Sequence, residues 1–131
     1  ILKLLEQEQI ELIVLAWYMQ ILSPVFLSKY EQKVINIHHG FLPAFKGSKP
    51  YHQAWKRGVK IIGATAHYVT NDLDDGPIIS QDVTAINHTY STKEMIEAGQ
   101  DIERRVLTNS VRAHLERRVL VYQGRTIVFH G

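Results

Sequence analysis

Apolar positions along the chain alternate between a helical and a strand rhythm. ILKLLEQEQI places Leu2, Leu5 and Gln9 or Ile10 on one helical face. The compact apolar run Leu12 to Ala16 predicts a buried strand, and Ser23 and Pro24 then open a short helical turn that packs Phe26 and Leu27 inward. VINIHH is a second strand, and a loop punctuated by Gly40, Pro43, Gly47 and Pro50 follows it. YHQAWKRGV predicts a helix stopped by Gly58. KIIGATAHYVT and IISQDVTAI are a third and a fourth strand, separated by the polar turn NDLDDGP. Ser91 with Glu94 makes a capping box for a long helix that Gly99 weakens inside. Its inward stripe is Ile102, Val106 and Ser110, with Leu107, Val111 and Leu115. The chain closes as a hairpin around Gln123-Gly124, an addition at the sheet's edge. Strands alternating with helices predict an α/β architecture with a mostly parallel sheet.

Composition narrows the class. The chain has 131 residues, enough for one domain with a real core and too few for two comfortable ones. A net charge of +2 gives no polyelectrolyte character. Cysteine is absent, which excludes a disulfide scaffold and thiolate metal sites and fits a reducing compartment. LIVLAWYM is too short to span a bilayer, and no secretory leader opens the sequence, so a cytoplasmic protein without membrane partners is expected. Arg104, Arg105, Arg112, Arg117 and Arg118 crowd the long helix, but Asp101, Glu103 and Glu116 counterbalance them. That mixture predicts a solvated, salt-bridged face and no nucleic-acid partner.

The candidate chemistry starts from VINIHHGFLPAFKG. Asn36 and His38 share one face of their strand, roughly 7 Å apart, while Ile35 and Ile37 point to the other. Polar side chains near the carboxyl end of a strand are where open α/β sheets place ligands. A buried pair bonding its own loop is the plainer explanation, and it would serve for one histidine alone. Farther along, Ala66 and Tyr68 fall on one face and His67 on the other, followed by Asn71, Asp72, Asp74 and Asp75. These acids and amides by themselves make an ordinary turn. Together, the two clusters suit attack on an amide-like carbonyl. Asn36 and protonated His38 can donate to a developing oxyanion, and a nearby aspartate can hold a water and move protons. No serine or cysteine elbow accompanies them, which favours direct attack over a covalent enzyme intermediate. Spacing does not choose among Asp72, Asp74 and Asp75. His38, His67 and Asp74 compose a conceivable metal set, but no helical His-Glu-x-x-His pattern and no phosphate-cradling glycine loop is present.

INIHHGFLPAFKG, PYHQA, GATAHYV and LDDGPII in combination resemble the formyltransferase superfamily that uses 10-formyltetrahydrofolate, and within it the formyltetrahydrofolate deformylases. The resemblance runs along essentially the whole chain, through Arg117-Arg118-Val119-Leu120. It implies a Rossmann-like formyltransferase fold and hydrolysis of 10-formyltetrahydrofolate to formate and tetrahydrofolate, feeding one-carbon and purine metabolism. It implies Asn36, His38 and Asp74 as the catalytic trio, with His67 and His39 as supporting groups. Gln20, Ile21 and Leu22 match the segment whose backbone meets the pterin ring, and Asn71 and Leu73 close the same pocket. Neither a metal nor a cofactor is implied, since the folate is the substrate; a homo-oligomer is expected.

The sequence departs from that pattern in places. The superfamily domain begins earlier, with a strand-helix-strand portion whose strands would flank LIVLA, and deformylases usually carry a small regulatory domain before it. Residues 1–131 are therefore expected to be the C-terminal part of a catalytic domain, with N-terminal strands missing and the regulatory domain absent. Gly40 stands where serine is usual, and Trp17 where arginine is frequent. Two alternatives accompany the hydrolase. One is a formyltransferase acting on glycinamide ribonucleotide or an aminoacyl-tRNA, against which His39 and the PYHQ stretch weigh. The other is an inactive fragment that binds folate or only oligomerises.

Overall fold

The computed structural model describes residues 7–8, 11–16, 29–30, 32–39, 50–70 and 76–131. Among these residues, four strands form the main sheet in the order β1-β2-β3-β4: β1 (Ile13–Ala16), β2 (Val34–His39), β3 (Ile61–Tyr68) and β4 (Ile78–Ala85). Strand β1 runs parallel to β2, with Ile13 opposite Val34. The pairings β2-β3 and β3-β4 are antiparallel. The α/β class is as expected, but the expected mostly parallel sheet is, among the described residues, a mixed one. The physical reason lies in the connections. Only residues 69–77 separate β3 from β4, too few for the crossover that parallel neighbours need. Side-chain alternation within a strand carries no information on strand direction.

The helix α1 (Pro50–Arg57) begins with proline, whose missing N–H costs nothing there. Gly58 stops it at φ 75°, and Val59 N–H reaches back to the Ala54 carbonyl at 3.3 Å. Tyr51 and Ala54 form its buried face. The long helix, α2 (Thr92–Leu115), starts at a complete capping box: Glu94 N–H donates to Ser91 Oγ and Ser91 N–H to Glu94 Oε1, both at 3.1 Å. Met95, Gly99, Ile102, Val106, Ser110 and Ala113 are buried at intervals of three and four residues, as an inward helical stripe requires. Leu115, expected in that stripe, is instead 58% exposed, because it is the helix's last residue and the chain turns away at Arg117 with φ 57°.

The core lies between α2 and one face of the sheet. Ile35, Ile37, Ala64, Ala66 and Tyr68 pack with Met95, Ile102 and Val106. Burial of these side chains contributes about 1.5–3 kcal/mol for each large aliphatic one. The closing hairpin, β5 (Val119–Tyr122) and β6 (Arg125–Val128), turns through Gln123 and Gly124, both at positive φ as a two-residue I′ turn needs. It forms its own two-stranded sheet and does not lengthen the main one. Val119 and Val121 pack against the core, and the Thr126 hydroxyl donates to the Ile78 carbonyl of β4. Of the acids expected to balance the arginines, Asp101 pairs with Arg104 at 2.9 Å and Glu116 with Arg118 at 2.7 Å, whereas Glu103 is buried beside Tyr51 and Arg105 instead meets Asp82 of β4 at 3.4 Å. No described helix is long and apolar enough to cross a membrane. The helix expected over residues 1–10 and the turn opened by Ser23 lie outside the described residues, except 7–8 and 29–30.

Candidate active site

The face of the sheet opposite α2 carries the polar residues. Alternation along β2 sends Ile35 and Ile37 into the core and Asn36 and His38 to the other side, as the sequence predicts. The antiparallel register then sets Asn36 opposite His67 and His38 opposite Thr65. Directly paired residues share a face, so two strands bring four polar side chains together. The rings of His38 and His67 stand edge-on, with centroids 6.1 Å apart and planes at 73°. Thr65 escaped the sequence reading. Period-two counting back from His67 reaches it, but only the register reveals His38 across from it. In the next strand Gln81 lies opposite Thr65, and its Nε2 donates to Thr65 Oγ1 at 3.0 Å.

Asn36 is 3% exposed, and its Oδ1 has no hydrogen-bond partner among the described residues. An unsatisfied buried acceptor costs about 1–3 kcal/mol. Such a group calls for an explanation. His67 is buried as well, and its Nδ1 lies 2.9 Å from the Tyr68 carbonyl oxygen. A carbonyl only accepts, so Nδ1 carries the proton; in the neutral ring Nε2 is then the basic nitrogen. Just before His67 the β3-β4 register slips: Ala66 faces Ser80, but His67 faces Ile78. The extra residue, Ile79, belongs to β4, so the bulge bends β4 where it pairs with His67, a common device beside reactive sites.

Past the bulge, Tyr68 N–H donates to the Pro77 carbonyl at 3.0 Å and Val69 N–H to the Val34 carbonyl at 2.9 Å. The structure describes the chain as far as Thr70 and again from Gly76. Asp74, Asn71 and Leu73 themselves lie outside the described residues, as do Gln20, Ile21, Leu22, Gly40 and Trp17. His39 pairs through its backbone with Ala64 at the end of β2. The structure therefore brings together Asn36, His38 and His67 of the expected site and adds Thr65. Among the described residues no group of three His, Cys, Asp or Glu is placed to hold a metal ion.

Residues 1–111 match the model of the formyl transferase family. Formyltetrahydrofolate deformylase of Corynebacterium sp. strain P-1 is 56% identical over 128 residues, covering 98% of this chain and 45% of that protein. The crystal structure of formyltetrahydrofolate deformylase from Burkholderia mallei superposes with a TM-score of 0.89 at 51% identity, covering 98% of this chain and 46% of that one. Phosphoribosylglycinamide formyltransferase from Anaplasma phagocytophilum superposes with a TM-score of 0.85 at 31% identity, covering 98% of this chain and 63% of that one. The chain spans less than half the length of the curated relative it matches.

Proposed function

The chain belongs to the formyl transferase family, and from that premise we propose that its protein hydrolyses 10-formyltetrahydrofolate to formate and tetrahydrofolate. The observation that carries the reading is the buried Asn36 amide aligned with His38 and His67 on one sheet face. The similarity supports hydrolysis over transfer, since identity is 56% to the deformylase and 31% to the formyltransferase.

The chemistry follows from the residue types. The formyl carbon is attacked by water, and the carbonyl oxygen becomes an oxyanion. The Asn36 amide N–H and a protonated His38 donate to it. The Asp74 carboxylate holds the water, takes its proton as the C–O bond forms, and returns that proton to the folate nitrogen as the C–N bond breaks. Formic acid leaves and ionises to formate. His67 and His39 orient these groups. The backbone of Gln20, Ile21 and Leu22, with Asn71 and Leu73, holds the pterin.

Asn36→Ala, His38→Ala and Asp74→Asn are the test. Loss of one oxyanion donor is expected to lower formate release by about 100- to 1000-fold while folate binding is retained. Unchanged turnover in any variant removes that residue's role. The second reading, transfer of the formyl group to an amine, is favoured by the structural match to the formyltransferase. Formate release that needs no amine acceptor separates hydrolysis from transfer.

A further inference from the structure

We propose that Gly76 is a positioning residue that holds the His67 imidazole in its Nδ1–H form, acting through the Tyr68 carbonyl. A β-carbon built on Gly76 would lie 1.6 Å from the Tyr68 carbonyl oxygen, 2.8 Å from its carbon and 3.3 Å from His67 Nδ1. Gly76 is outside the left-handed region, so the demand is for space and not for an unusual φ. The oxygen that would be struck is the one that accepts from His67 Nδ1 at 2.9 Å. Residue 76 and the histidine ring therefore press on the same carbonyl.

The Tyr68 peptide has little freedom to retreat. Its N–H is engaged by the Pro77 carbonyl at 3.0 Å, and the next N–H, of Val69, by Val34 at 2.9 Å. The Tyr68 hydroxyl is tied to His114 Nδ1 at 2.7 Å. A side chain at position 76 would displace the carbonyl and take the acceptor away from Nδ1. The proton would then favour Nε2, which is buried and belongs to the ring that stands edge-on to His38. Glycine and proline at 76–77 look like plain turn punctuation in the sequence. In the structure the glycine is the gap into which a reporting carbonyl fits. The consequence for turnover rests on the hydrolytic reading above; the tautomer itself does not.

The test is multiple-bond 1H–15N NMR of the ring nitrogens in 15N-histidine-labelled protein, with His67 assigned by the signal lost in His67→Gln. The wild-type ring is expected to be mainly Nδ1–H. In Gly76→Ala the Nδ1–H share is expected to drop below half while the circular dichroism spectrum is kept. A wild-type ring that is mainly Nε2–H, or a folded Gly76→Ala with the wild-type pattern, overturns the proposal. Where Gly76→Ala does not fold, Pro77→Ala decides. It leaves the space at 76 intact but frees a backbone that proline restricts. A smaller loss of Nδ1–H is then expected, and an unchanged pattern overturns the proposal. Turnover is a separate readout. A misplaced ring should slow formate release by about 100-fold with KM retained. A changed tautomer with undiminished formate release counts against the hydrolytic role of His67 and leaves its positioning by Gly76 standing.

Discussion

Gly99 looks at first like a defect in α2, since glycine inside a helix costs about 0.5–1 kcal/mol relative to alanine. The structure supplies the reason. A β-carbon there would lie 2.1 Å from the Tyr51 hydroxyl and 2.3 Å from its ring, so the glycine is the seat of the α1 tyrosine. Overpacking costs about 1–3 kcal/mol, which outweighs the gain in propensity. Gly99→Ala is therefore expected to lower the melting temperature, where the same change on an exposed face would raise it. Ser110 presents the opposite case. It is fully buried, and its Oγ has no hydrogen-bond partner among the described residues. Ser110→Ala should leave the unfolding free energy unchanged or raise it by about 1 kcal/mol, measured in urea. Beside these residues, Tyr51 donates to Glu103 Oε1 at 2.8 Å. Burial raises the Glu103 carboxyl above its ordinary 4.5, and the tyrosine hydrogen bond only partly offsets this. The native state thus binds that proton more tightly than the unfolded chain. Its contribution is complete below pH 4.5 and fades as the pH rises through the raised value. Glu103→Gln should match the wild type in acid and become the more stable of the two above that range, in unfolding midpoints taken across pH.

At the scale of elements, a polar contact fastens the last turn of α2 to β3. Tyr68 Oη lies 2.7 Å from His114 Nδ1, and the rings meet edge-on at 5.7 Å. Burial first, and the charge of Lys33 second, lower His114 below its ordinary 6.5, while burial raises Tyr68. A depressed histidine favours the neutral ring, which accepts the tyrosine proton. The sign is the reverse of that at Glu103. Stability from His114 is complete above pH 6.5 and is lost as the pH falls through the lowered value. His114→Gln is expected to remove this acid-side loss, leaving the variant less sensitive than the wild type just below pH 6.5. At the other end of α2, Ser91→Ala breaks one half of the capping box and should cost about 1 kcal/mol in thermal unfolding.

Across the whole molecule, burial is uneven. Ile35, Ala64, Ala66, Ile102 and Val106 are almost wholly buried, while Leu120, Tyr122, Ile127 and Phe129 of the closing segment lie open. Local opening is easiest where few buried contacts resist it. Amide hydrogen exchange should therefore be slowest in β2, β3 and the middle of α2, and fastest across 119–129. Equal protection in the hairpin and the sheet would contradict this gradient. Much of the fold was legible because its signals are local. Alternation in VINIHH, glycine at 58, the capping box at Ser91 and the Gln123-Gly124 turn each depend on residues within a few positions, and each element formed where expected. The pairing of Asn36 with His38 on one face was equally readable, since side-chain alternation is a property of any strand. What lay beyond the sequence depends on contacts between distant positions. Strand direction, the register that sets Asn36 against His67 and His38 against Thr65, the bulge before His67, and the need for glycine at 76 and 99 all arise from which surfaces meet. Local sequence thus determined the elements and the chemistry their faces offer. Tertiary structure alone decided which faces oppose one another, because that choice is made by packing the whole core at once.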